Sequence, residues 1–444
     1  MSVETLCARI ATLDNEIKLQ RELLKKLKSE KSCVQYELNM IQDPISRLPL
    51  ELSSQIFLHA VGGFAKPGPL HAPVLILRVC NSWRDIALAT PELWSAVHIA
   101  FPCAEGKKKA VKTWLDRARP RPLSVILDGV FDHDVVDLVW KRARQLEHLE
   151  IWLAEELSDS EFEYDANDND EVILWRDDNA PRRLSSLKTL KFTDRHVESD
   201  PIPVSLAHIV ELLRLAPKLT ECVFDVQELG RSDYSDIFED EEKLVLPNVR
   251  RLLFGDPACE EGFGGDDGIF PYLSVPKLEA LSISLHTIAA SDLLSFLTQH
   301  SPPLKELTLG DPKATKAVTL RKCLRAAPKL RRFEAWLLPF TAISLFKSLA
   351  KSPSLLRHLT TLIIHFRSLR GARIYQSLWT TILDALTARR TQLQVFRLEL
   401  PDSDGPPDAH LPAADTVAAL RTLADSGMHI HITGVLESRV LAHH

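Results

Sequence analysis

No uncharged apolar run in the sequence approaches the roughly 18 residues that a membrane-spanning helix needs, and the N-terminus lacks the basic-then-apolar layout of a secretory leader. Ordered cysteine spacing is missing too. The seven cysteines (Cys7, Cys33, Cys80, Cys103, Cys222, Cys259, Cys323) are odd in number, scattered, and never arranged as Cys-x-x-Cys. This argues against a disulfide framework and a zinc site, and for reduced thiols in the cytoplasm or nucleus. A charge of one sign is lacking: 54 Lys and Arg stand against 60 Asp and Glu, leaving a net −6 and no overall electrostatic case for nucleic acid.

Catalytic patterns are equally scarce. Gly262 to Gly268 has neither the Lys-Ser/Thr of a phosphate loop nor the spacing of a dinucleotide fingerprint. Asp165-x-Asn167-x-Asn169 begins like a calcium loop, then places Asp170 where glycine is required and Arg176 where the bidentate Glu belongs. His429-x-His431 puts two imidazoles on one side of a strand without an evident third ligand. There is no Gly-x-Ser-x-Gly elbow and no His-Glu-x-x-His. The short basic cluster Lys107-Lys108-Lys109 opens a helix and reads as a solvated face. The expectation is a protein without a catalytic centre, metal or cofactor.

What is there begins with a heptad. Over residues 3 to 41, Val3, Ile10, Ile17, Leu24 and Leu38 fall on one seam position, and Leu6, Leu13, Leu27, Val34 and Ile41 on the other. Gln20 and Lys31 interrupt the seam, and no Gly or Pro intervenes before Pro44. The pattern predicts a coiled coil over 1–42, pairing with itself or with another chain, or else one long amphipathic helix folded back on its own body.

From Pro44 to Trp94 the pattern changes. Leu48-Pro49 enters a helix carrying Leu52, Ile56 and Ala60, with Phe57 and Val61 beside them. After a spacer, a second helix carries Leu75, Val79, Trp83 and Ile86, its face widened by Cys80 and Ala87. Two short helices this apolar cannot bury all their large groups against each other, so the surplus goes to the rest of the chain or to a partner.

The Leu48-Pro49-x-Glu51 core running to Ile56-Phe57, the Val79-Cys80-x-x-Trp83-Arg84 element and the trailing Leu93-Trp94 resemble the F-box. With that motif, substrate receptors dock onto the adaptor subunit of SCF-type cullin–RING ubiquitin ligases. The resemblance implies an adaptor-binding surface at Pro44, Ile45, Leu48, Pro49, Glu51, Leu52, Ile56, Phe57, Val79, Cys80, Trp83 and Arg84, and through the adaptor a link to cullin. The spacer from Gly62 to Pro73, with Pro67, Pro69 and Pro73, is longer than in a compact F-box. The layout around the motif resembles fungal F-box-like proteins with a leucine-rich C-terminal region.

Beyond it, strand-like Trp94–Ile99 and Leu123–Leu127 alternate with helical Ala110–Arg119 and Val135–Arg144. A Leu-x-x-Leu-x-Leu pattern then recurs from Leu146, Leu187, Val249, Leu278, Leu304, Leu359 and Leu393, with degenerate copies at Leu219 and Leu330. Starts from Leu187 to Leu359 lie 26 to 32 residues apart by subtraction of residue numbers. One short strand per unit at that period is the leucine-rich-repeat signature. Prolines at 217, 276 and 328 stop each preceding element just before its Leu. Two acidic insertions interrupt the array. Glu155 to Glu171 holds nine carboxylates and no base, and Asp225 to Glu242 has only Arg231 positive; both read as solvated loops.

The predicted class is α/β: a coiled-coil helix (1–42), a small all-α F-box-like domain (43–96), and an irregular leucine-rich-repeat solenoid of parallel strands and outer helices (97–444). A conventional α/β domain is the competing fold. The implied function is substrate recognition within a ubiquitin ligase, the repeats holding a target protein. The competing function is a non-catalytic scaffold uncoupled from ubiquitination.

Overall fold

A computed structural model describes residues 3–68, 70–129, 131–153, 173–175, 180–181, 183–194, 205–226, 237–238, 243–255, 257, 268–285, 288–310, 316–366, 376–400 and 412–433. The acidic stretch 155–171 with its calcium-loop-like pattern, most of 225–242, the turn 262–267 and the segment 402–407 lie outside them. The chain divides into two compact units, residues 1–99 with 103–125, and residues 100–102 with 126–444. Residues 103–125 therefore belong with the N-terminal helices, whereas the sequence pattern assigned them to the repeats.

The first unit opens with α1 (Val3–Gln42), a single helix of 40 residues, as the absence of Gly and Pro dictates. A 3₁₀ turn (Ile45–Arg47) leads to α2 (Leu50–Val61), where Pro49 takes the cap position and Glu51 sits in the first turn against the positive end of the helix. Gly62 ends α2 at φ 68°, a backbone conformation that a side chain resists, and its N–H closes on the Leu58 carbonyl.

The single second helix expected from Leu75 to Ile86 is two: α3 (Ile76–Val79) and α4 (Asn81–Ala89), separated by Cys80 in extended conformation. The break has a cause. The Cys80 sulfur caps α4 by accepting from the Trp83 N–H at 3.4 Å, which an unbroken helix would forbid. Trp94 likewise ends a 3₁₀ turn begun by Pro91 and does not start the following strand, β1 (Ala96–Ala100). The long spacer is tied down: the His98 N–H donates to the Ala65 carbonyl at 2.9 Å. Next come α5 (Glu105–Arg117) and β2 (Leu123–Asp128). The Trp94 indole, fully buried, stands edge-on to Trp114 at 5.0 Å with the Arg117 guanidinium 4.6 Å over its ring.

The second unit is of α/β class, with a large parallel sheet. The strands β3 (Leu146–Leu153), β4 (Thr189–Asp194), β5 (Glu221–Asp225), β7 (Arg251–Phe254), β9 (Ala280–Ile283), β10 (Glu306–Leu309), β11 (Arg332–Leu337), β12 (Thr361–Phe366), β13 (Val395–Glu399) and β14 (His429–Thr433) lie side by side in sequence order. Two-residue strands β6 (Leu244–Val245) and β8 (Leu273–Ser274) pair separately. Parallel neighbours need crossovers, and most are helical: α7 (Leu206–Leu215), α8 (Ala290–His300), α9 (Ala317–Ala326), α10 (Pro339–Lys351), α11 (Gln376–Ala388) and α12 (Ala414–Asp425), with α6 (His133–Trp140) ahead of β3. The helix expected to run to Arg144 stops at Trp140 and is followed by a 3₁₀ turn, Ala143–Gln145.

Register explains the repeated leucines. Leu149, Leu190, Cys222, Leu252, Leu281, Leu307, Phe333, Leu362, Phe396 and Ile430 oppose one another strand by strand, forming one buried column. Two residues on, Ile151, Phe192, Phe224 and Phe254 begin a second column, with Phe224 stacked 5.8 Å from Phe192 and 5.2 Å from Phe254. Each Pro-Lys-Leu sequence makes the same turn: the N–H groups of Leu219, Leu278 and Leu330 donate to the carbonyls of Ala216, Val275 and Ala327 at 3.1 to 3.3 Å. Ala216 and Ala327, both followed by proline, leave helical geometry at the ends of α7 and α9.

Candidate partner-binding surface

The helices α2, α3 and α4 separate the sequence-predicted residues into two sets. One set holds the unit together. Phe57 and the half-buried Trp83 meet at 5.0 Å between centroids. The Trp83 indole N–H donates to Asp43 Oδ2 at 2.5 Å, and Asp43 Oδ1 accepts from the Ile45 N–H at 2.9 Å, an Asx turn that sets the direction of the chain at Pro44. The fully buried Ser53 then clamps that turn onto α2, its hydroxyl donating to the Ile45 carbonyl at 2.9 Å. Ile45 and Cys80 are half-buried. A hydroxyl pair, Ser54 and Thr90 at 2.7 Å, links α2 to the end of α4.

The other set faces outward. Leu48 is 37% exposed, Leu52 53%, Ile56 42% and Val79 57%, whereas Phe57 is 2% exposed. Leu75 and Leu50 are exposed as well, as are Pro44, Pro49, Glu51 and Arg84. On α2, Leu52 and Ile56 lie one turn apart, and Leu75 and Val79 repeat that spacing on the second segment. Phe57 departs from the sequence expectation. It is a core side chain of α2.

Beside these residues, residues 28–35 of α1 and the α3–α4 break bound a groove of about 690 Å³. Lys28, Lys31, Arg78 and Arg84 line it, with Asn81 bridging to Ser32 across it at 3.2 Å. Arg84 is held in place by its own segment, donating to the Leu77 carbonyl at 3.2 Å and to Asn81 Oδ1 at 3.3 Å.

Sequence reasoning missed Asp43 and Ser53. An Asp directly before Pro44 is the available signal for the first; Ser53, among leucines, carries none. It also missed a polar cluster on the sheet. His365 on β12 contacts Glu399 of β13 through Nδ1 at 2.6 Å and Glu334 of β11 through Nε2 at 3.0 Å, and stacks on the Trp336 ring at 4.0 Å. Burial works against the imidazolium, but the two carboxylate hydrogen bonds outweigh it and raise the His365 pKa. Glu334 is likewise disfavoured as an anion by burial, yet held below the usual carboxylate range by His365 and by Arg332, which donates at 2.6 Å. A related group sits on β3, where Trp152 donates to Glu150 at 2.6 Å and His148 holds the Glu150 carboxyl down. His429 and His431 are exposed on β14, the final strand in the order, and no cluster of three or more His, Cys, Asp or Glu able to hold a metal ion exists among the described residues. No helix of the described residues is long and apolar enough to cross a membrane.

A scan against protein-family models finds no match to this chain, and a search of curated proteins finds none either.

Proposed function

We propose that the chain is a substrate-recognition subunit of an SCF-type cullin–RING ubiquitin ligase, with no catalytic group of its own. In this reading the α2–α4 unit is an F-box-like domain that docks on the ligase adaptor. The strand-and-helix units are an irregular leucine-rich-repeat array whose outer sheet face holds a target protein. Proximity then brings target lysines to an enzyme carried elsewhere in the assembly.

One observation carries the reading. Phe57 and Trp83 satisfy the interior of the unit, while Leu48, Leu52, Ile56 and Val79, at the other motif positions, remain exposed. Apolar groups spaced one turn apart on short helices, uncovered by their own unit, are what a helix-docking partner would cover.

Affinity purification tests it. The full chain is expected to retain the ligase adaptor, and Leu52→Asp with Ile56→Asp to release it while circular dichroism and the thermal midpoint stay unchanged. Undiminished recovery of the adaptor by that variant, or no recovery by the unaltered chain, removes the ligase assignment and leaves the scaffold reading. Phe57 is unsuitable for the test because its removal damages the unit itself.

A further inference from the structure

The heptad face of α1 has no cover of its own. Val3, Leu6, Ile10, Leu13, Ile17, Leu24 and Leu27 are all exposed along it. In the heptad register, Arg9 and Glu16 stand at one flanking position (g), and Asp14 and Arg21 at the other (e). Toward the C-terminal end, Val34, Leu38 and Ile41 stay exposed, but Lys28, Lys31, Ser32 and Gln35 line the groove beside α4 and Ser32 accepts a hydrogen bond from Asn81, so α4 stands beside the seam there. Lys31 is also the charged interruption of the seam.

We infer that α1 pairs with α1 of a second copy of this chain as a parallel, in-register coiled coil confined to residues 3–27, ending where the helix meets its own unit. Charge decides the direction. Parallel alignment sets Arg9 against the partner's Asp14 and Glu16 against the partner's Arg21, each twice by symmetry, and creates no like-charge g–e pair. An antiparallel overlay of the same segment sets Glu16 against the partner's Glu16 and Asp14 against the partner's Asp14. Gln20 decides register. In parallel alignment its amide meets the partner's Gln20 and both find a hydrogen-bond partner; antiparallel, it is buried against the partner's Ile10. This inference stands independently of the ligase reading.

The test uses the full chain. Sedimentation equilibrium is expected to give twice the chain mass. Arg21→Glu is expected to weaken association by about tenfold, because two attractive pairs become repulsive, and Glu16→Arg added to it to restore association. In a Cys7→Ser, Cys33→Ser background, Leu13→Cys is expected to form an interchain disulfide on mild oxidation, since the two positions face each other only in the parallel register. A monomeric full chain overturns the inference, whether or not another protein binds α1. So does a dimer indifferent to the charge exchange, or one in which Leu13→Cys fails to cross-link.

Discussion

At His365, two carboxylates from different strands share one imidazole, and this makes the contribution of the cluster depend on pH. Its folded pKa lies above the ordinary value of 6.5, so the stabilisation is fully present below that value and is lost as pH rises through the raised pKa. Glu334 has the opposite sign: its folded pKa is lowered, so its contribution is present above about 4.5 and is lost as pH falls through the depressed value. The cluster is therefore strongest between the two ordinary values. His365→Gln is expected to destabilise the chain by about 2 kcal/mol near pH 6, where it removes charge-assisted hydrogen bonds, and by clearly less near pH 9. Urea denaturation at the two pH values checks this, and an equal loss at both would show that the imidazolium carries no charge-dependent stabilisation. The α2 residues divide at this scale too. Leu52→Asp is expected to change stability by no more than about 0.5 kcal/mol, because the side chain is already in water, and Phe57→Ala to cost about 3–5 kcal/mol. Comparison of their denaturation midpoints tests the assignment of one to a surface and the other to the core.

Among the elements, the parallel strands were legible because their period is short and their leucines oppose one another in register. The Pro-Lys-Leu turns marked where three of those strands begin, since the residue before proline leaves helical geometry. The phenylalanines on consecutive strands show what this alignment holds together. Phe224→Ala removes the middle ring of the stack with Phe192 and Phe254 and is expected to destabilise the chain by about 3–5 kcal/mol, read as a lowered denaturant midpoint with an unchanged slope. The α3–α4 break was not legible. Leu75, Val79, Trp83 and Ile86 keep helical spacing straight across Cys80, where the extended backbone goes with the sulfur cap on the Trp83 N–H and with Asp43 holding the Trp83 indole.

For the whole molecule, the compact unit that contains α2, α3 and α4 extends to residue 125. Trp94 explains the difference from the sequence-derived limit at 96: its cover is Trp114 and Arg117 of α5, which the strand-helix alternation had assigned to the array. The Ser124 N–H also donates to the Ser95 carbonyl at 2.8 Å. A fragment of residues 1–125 is expected to unfold cooperatively, and one of residues 43–96 to lack a cooperative transition and expose its tryptophans. Tryptophan fluorescence during thermal denaturation distinguishes them, and a cooperatively folded 43–96 fragment would mean that α5 is dispensable.

The sequence by itself determined what depends on neighbours along the chain: the uninterrupted α1, the turns at proline, the strand period, and the surplus of apolar groups on the α2–α4 helices. Tertiary structure alone decided which of those groups became interior. Phe57 and Leu52 are both apolar residues of one helix, yet Phe57 is buried and meets Trp83, which Asp43 holds from outside that helix, whereas Leu52 is exposed. The His365 cluster has the same origin, because its members lie 31 and 34 residues apart in sequence and meet only when the parallel strands take register.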